Sequence, residues 1–287
     1  YRQGFGPEQK GKARIDGTVI LSDPILRDFG VELPEGSVAG EGPAAIDIAL
    51  NGDLPPQLTL TSTLAGLALR FDALSWTKDA ETKGSLDLEA RLEREPIVER
   101  MALTAPGLSA EGRITTVEGG GLGEARFERV VAGDWLDAPV LLTGNGSGKL
   151  PSVAVTGGSL DMRRMPDDSG AAGEGTTEVA LDGLRISDGI TLTNFRGEFG
   201  VNGGFNGSFV AGVNGGAEIA GTVSPSEKGS SIHITSENAG GVMASAGIFD
   251  KGRGGTLNLT MTALGPEGEY KGKAKFSRLR VQGAPAL

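Results

Sequence analysis

Apolar and polar residues alternate in short runs along most of this chain, and Gly, Pro, Asn or Asp bound the runs. Ile46-Asp47-Ile48-Ala49-Leu50 leads into the turn signal Asn51-Gly52-Asp53, after which Gln57-Leu58-Thr59-Leu60-Thr61 resumes the alternation. The same pattern returns in Ser85-Leu86-Asp87-Leu88-Glu89, Ser152-Val153-Ala154-Val155, Ser231-Ile232-His233-Ile234-Thr235 and Thr256-Leu257-Asn258-Leu259-Thr260-Met261. A period of two with punctuating turns predicts strands with one buried face, joined as hairpins. Helix-length crossovers, which a parallel βαβ sheet requires, are missing. The expected fold is therefore all-β, an elongated antiparallel meander curled into an open groove.

Two stretches break the pattern. Ser22 to Gly30 carries a capping candidate, Pro24 in the first turn and a terminal Gly, and predicts a short helix. Asn238 to Phe249 places Val242, Met243, Ala246 and Phe249 at three- and four-residue spacing and predicts a second. Residues 166–175 are polar, small and aperiodic, which predicts a flexible joint between an N-terminal part, 1–165, and a C-terminal part, 176–287.

Composition sharpens this picture. Gly supplies 48 of 287 residues and aromatics only 5%, so few large side chains exist to fill a thick interior, and a thin sheet is favoured. The net charge of -10, with basic residues scattered, argues against nucleic acid and against an anionic membrane surface. With no Cys there are no disulfides, thiolate chemistry or Cys-based zinc sites, which suits a cytosol or a Gram-negative periplasm. No apolar run reaches 18 residues, and the start at Tyr1 reads as that of an excised segment.

The search for chemistry returns little. Gly144-Asn145-Gly146-Ser147-Gly148-Lys149-Leu150 is one residue short of a phosphate-binding loop, puts Leu150 where a hydroxyl is needed, and runs into a predicted strand. The single His233 lies between Ile232 and Ile234 on the polar side of its strand, where a solvated or cross-strand role is expected. Asp161, Asp167 and Asp168 fit no calcium-loop spacing, and Asn202-Gly203-Gly204-Phe205-Asn206-Gly207 and Asn214-Gly215-Gly216 read as turns. A polysaccharide-active pair of carboxylates would want an aromatic-lined cleft, for which Trp76 and Trp135 are a thin supply. No catalytic residue, metal or cofactor is expected.

The apolar faces remain. Ile46 and Ile48, Leu58 and Leu60, then Leu67, Leu69 and Phe71, and Leu86 and Leu88 fall on successive predicted strands of the first half. Val153 and Val155, Ile232 and Ile234, and Leu257 and Leu259 do so in the second. Such a set could pack a dry core or line an open trough for acyl chains.

Several stretches carry a family likeness. Leu74-Ser75-Trp76-Thr77-Lys78-Asp79-Ala80 before the Gly84–Leu88 strand, and Leu103 to Gly112, resemble recurring segments of the long AsmA-like proteins. Ile234 to Val242, Gly247-Ile248-Phe249-Asp250, Arg253 to Leu257, Tyr270-Lys271-Gly272 and the closing Ala284-Pro285-Ala286-Leu287 resemble the C-terminal region of the YhdP-type, TamB-related members. The likeness covers most of residues 40–287. It implies a periplasmic protein of the Gram-negative cell envelope, anchored in the inner membrane by a segment outside these residues. In that family a β-groove shields phospholipid acyl chains on their way between inner and outer membrane, so the implied partner is a phospholipid or other lipid. The alternative is a structural module for outer-membrane protein biogenesis, without lipid conduction, whose partner is an outer-membrane protein strand.

Overall fold

The computed structural model describes residues 2–3, 12–28, 33–118, 120–146, 149–166, 176–200, 204–265 and 269–283. Backbone contacts divide the chain into two compact units, Tyr1–Ser152 with Pro166–Ala172, and Val153–Met165 with Gly173–Leu287. Most of the expected joint, 167–175, lies outside the described residues, as do Phe29, Gly30, Ser147, Gly148, Asn202, Gly203 and the closing Ala284 to Leu287.

The first unit contains β1 (Arg2–Gln3), β2 (Lys12–Leu21), α1 (Asp23–Asp28), β3 (Val38–Gly40), β4 (Gly42–Asn51), β5 (Leu54–Ser62), β6 (Leu67–Phe71), β7 (Trp76–Lys78), β8 (Ser85–Arg91), β9 (Ile97–Ala105), β10 (Leu108–Thr116), β11 (Leu122–Ala132) and β12 (Leu136–Thr143). Nine of these form an antiparallel meander in the spatial order β1, β2, β4, β5, β8, β9, β10, β11, β12. Where the meander skips numbers, the intervening chain leaves the sheet. β3, β6 and β7 pair with one another instead and make a separate small sheet.

The second unit contains β13 (Ser152–Thr156), β14 (Ser159–Asp161), β15 (Thr177–Arg185), β16 (Thr191–Gly200), β17 (Asn206–Val213), β18 (Glu218–Ser226), β19 (Gly229–Ser236), α2 (Ala239–Ser245), β20 (Gly252–Arg253), β21 (Thr256–Ala263), β22 (Tyr270–Ser277) and β23 (Arg280–Val281). Strands β15 to β19, β21 and β22 continue the antiparallel pattern. β20 pairs with β23 alone.

The fold is thus all-β with two short helices, and among the described residues its antiparallel pairing gives way to parallel pairing at β13 and β14. β13 and β14 both run parallel to β15 at one shared offset, Val153 opposite Thr177 and Leu160 opposite Leu184, as two pieces of one strand broken at Gly157-Gly158. A parallel neighbour needs a return connection of about a dozen residues or more, and the span 162–176 has that length.

α1 is the short helix expected, whereas α2 is shorter than the spacing predicts. In α2 the Asn238 side chain caps the start by accepting from the Gly241 amide at 3.0 Å. The end comes at Ser245 because Gly247 takes a left-handed φ of 69°. Gly247 N–H then donates to Ala244 and Ile248 N–H to Met243, the paired bonds of a Schellman turn. Phe249 therefore follows the helix and does not belong to it.

The core of the first unit sits at one end of its strands. There Leu21, Ala44, Leu103, Ala110, Val130 and Ala138 are buried, together with Leu64, Leu67, Leu69, Trp76 and Trp135. These last residues belong to excursions and turns that leave the sheet. Trp76 is pinned by its indole N–H, which donates to the Pro106 carbonyl at 2.9 Å, and by stacking on Phe71 at 5.5 Å between centroids.

Candidate functional site

Cross-strand register decides which apolar residues share a face, because directly opposed residues point to the same side. In the first unit one row runs without interruption from Gly17 through Ile46, Leu60, Leu88, Met101, Gly112 and Phe127 to Val140. A second row beside it runs Ile15, Ile48, Leu58, Ala90, Val98, Ile114, Ala125, Leu142. The sequence-predicted residues Ile46, Ile48, Leu58, Leu60, Leu86 and Leu88 all lie on this face, and all six are half-buried.

Leu67, Leu69 and Phe71 do not join them. They lie on β6 in the small sheet, and Leu67 and Leu69 are 3% and 7% exposed, so those two pack the core. A hairpin pattern cannot distinguish a strand that stays in the meander from one that folds over it.

In the second unit the row Val155, Val179, Gly197, Phe209, Gly221, Ile234, Leu259, Ala274 crosses eight strands. Its neighbour runs Val153, Thr177, Phe199, Gly207, Val223, Ile232, Met261, Gly272. The predicted pairs Val153/Val155, Ile232/Ile234 and Leu257/Leu259 thus share one face, with Leu257 buried at 6% exposure and the other five half-buried.

Phenylalanines occupy the space that glycines leave in these rows. A Cβ on Gly197 would come within 2.6 Å of the Phe199 ring, and one on Gly221 within 2.3 Å of the Phe209 ring. Phe195 stacks on Phe209 at 5.3 Å and lies parallel to Phe199 at 6.2 Å. Gly in mid-strand usually weakens a sheet, and an aromatic laid across it restores the lost contact. This uses part of the large glycine content without leaving voids.

The opposite face of the second unit bears an open depression of about 610 Å³. Glu178, Glu198, Ser208, Thr222 and His233 form one polar row across it, with Ala154 at its end. His233 shares a contact with Asn258, Nε2 to Oδ1 at 3.1 Å, the cross-strand role expected of it. Arg196 lines the same depression but spends its Nη1 on the Leu181 and Phe195 carbonyls. Glu178 and Glu198 oppose each other directly, and nothing in this arrangement aligns a nucleophile with a base.

The remaining candidates resolve into structure. Leu150 and Pro151 lead straight into β13, a strand where a phosphate loop would require a helix. Asn214 and Gly215 take φ of 48° and 74° in a tight turn. Asp161 is held by Arg163, which donates from Nε at 2.8 Å and from its own amide at 3.1 Å. This pairing drops the Asp161 carboxyl to a pKa of about 2. Among the described residues no three His, Cys, Asp or Glu side chains converge as a metal site, and no helix is long and apolar enough to cross a membrane.

Sequence reasoning overlooked Lys78 as a functional part of the fold. It is 3% exposed, and its ammonium donates to the carbonyls of Leu64, Leu67 and Asp79 at 2.8, 2.7 and 3.0 Å. The signal was there, since Lys78 stands two residues from Trp76 and so on the same side of β7 as a core residue.

Comparison with family models, with curated proteins and with solved structures finds no match for this chain.

Proposed function

We propose that this chain is a lipid-holding segment of an AsmA-like envelope protein, with acyl chains lying along the apolar rows of its sheets in the periplasm. The observation that supports this reading is the row from Ile46 to Val140, unbroken by any charged residue across seven neighbouring strands and half-exposed at most of its positions. A core shared only within the protein would have no need to keep Leu60, Leu88, Met101 and Phe127 partly open to solvent. An acyl chain leaving water gains about 0.8 kcal/mol per buried methylene, and an aliphatic surface collects that gain at any register. Transit along such a surface meets no deep well, while a polar headgroup stays hydrated at the margin.

Native mass spectrometry of the chain purified from a Gram-negative host, with lipid extraction, tests the reading. Phospholipid should co-purify and be lost from Leu60→Asp and Leu88→Asp variants that keep their circular dichroism. Leu69→Asp serves as the contrast, because it is expected to unfold the small sheet. A lipid-free protein that also fails to bind a fluorescent fatty acid would overturn the proposal.

A second reading, an assembly module for outer-membrane proteins, draws on one specific feature, the edge of β22 that no described strand pairs with.

A further inference from the structure

β22 pairs with β21 in register over all eight of its residues, from Tyr270 opposite Ala263 to Ser277 opposite Thr256, without a bulge. No described strand pairs with its other side, and seven of its eight residues are exposed. Sheet edges are ordinarily protected by shortness, proline, a bulge or charge. This edge has only charge.

The charge is ordered. Lys271, Lys273 and Lys275 stand on one face, opposite Thr262, Thr260 and Asn258, and no ion pair joins them to a described carboxylate. Tyr270 and Phe276 stand on the other face at 40% and 42% exposure. A second β22 laid against this edge would set lysine beside lysine, so the edge rejects its own kind. A strand with carboxylates at every second residue would neutralise the row and place its alternate apolar residues beside Tyr270 and Phe276.

The geometry points to β22 as a docking edge for an extended segment of a partner protein that alternates Asp or Glu with apolar residues and adds as a further strand. This inference sharpens the assembly reading by naming the chemistry of the client strand, and it is tested through the lysines of β22 in the second unit, whereas the lipid reading is tested through Leu60 and Leu88 in the first. The two can therefore fail separately.

The test is fluorescence anisotropy with a labelled synthetic peptide alternating Val and Glu, titrated with the full chain. Saturable binding is expected, weakened by salt and reduced about tenfold or more when the peptide backbone is N-methylated at alternate residues. A Val-Lys peptide should not bind. The triple variant Lys271→Glu, Lys273→Glu, Lys275→Glu should exchange these preferences. If that variant does not fold, the peptide comparison on the unaltered chain decides alone. Absent binding, equal binding of both peptides, or binding indifferent to N-methylation would each overturn the inference, the last by showing adsorption to lysines without strand addition.

Discussion

The Lys78 ammonium donates to the Leu64 carbonyl at 2.8 Å, and Leu64 is a buried non-glycine residue held at a φ of 56°. The Leu64 amide is held as well, by the Ser62 hydroxyl at 3.1 Å. A left-handed leucine costs about 1 kcal/mol or more and persists only where its surroundings over-determine it. Here that turn carries the chain out of the meander and over the end of the apolar face. Lys78→Met should therefore destabilise the first unit by about 2–4 kcal/mol, since the carbonyls lose a charged donor and stay buried. Urea unfolding checks this.

The same lysine makes a pH prediction. Burial pushes its pKa below the usual lysine value, with Asp79 and Glu81 pushing the other way. The folded chain then holds this proton less tightly than the unfolded chain. Its contribution to stability should rise as pH climbs toward the unfolded lysine value of about 10.4, and Lys78→Met should flatten that slope. An unchanged slope in urea midpoints between pH 8 and 10 would count against the burial argument.

Asp161 behaves in the opposite sense. Arg163 holds its pKa at about 2, against an ordinary value of 3.8, so the folded state favours the carboxylate. The stability it lends is complete above the ordinary value and is lost as pH falls toward 2. Asp161→Asn should remove that acid limb in the second unit and leave the neutral-pH slope unaltered, as read by near-ultraviolet circular dichroism at graded pH.

Gly221 and Phe209 are matched across β18 and β17. Gly221→Ala should cost about 1–3 kcal/mol through overpacking against the ring. Combined with Phe209→Leu, the same change should cost much less than the sum of the two. Strict additivity in this double-mutant cycle would mean that the ring is free to move aside.

Ser62 and Ser236 occupy equivalent places in the two units. Each ends a strand where the chain leaves the sheet, donates to a neighbouring strand carbonyl (Pro43 at 2.8 Å, Glu218 at 2.6 Å) and accepts from the amide two residues on. Ser62→Ala should cost about 1–3 kcal/mol because it leaves the buried Leu64 amide without an acceptor, and Ser236→Ala should cost less because the Asn238 amide is only part-buried. Hydrogen exchange should quicken at Leu64 and Asn238 in the respective variants.

Alternation placed Ile46, Ile48, Leu58 and Leu60 on one face correctly, because the side-chain period of a strand is a local property. It was equally informative for Val153, Val155, Ile232 and Ile234, which lie far apart in the chain yet share two rows. It could not show that Leu67 and Leu69 leave the meander, since a strand in the small sheet and one in the large sheet have the same pattern. Nor could it show the parallel pairing of β13 and β14 with β15, whose register depends on a connection that carries no periodicity.

The sequence by itself determined an all-β chain of alternating strands, tight glycine turns and two short helices. Those features rest on backbone sterics and on residue types within a few positions of one another. Only the tertiary structure decided which apolar residues are sealed beneath Trp76 and Lys78 and which stay half-open, and that β22 is left as a lysine-bearing edge. Both depend on where strands end relative to neighbours distant in sequence, and no local pattern encodes that.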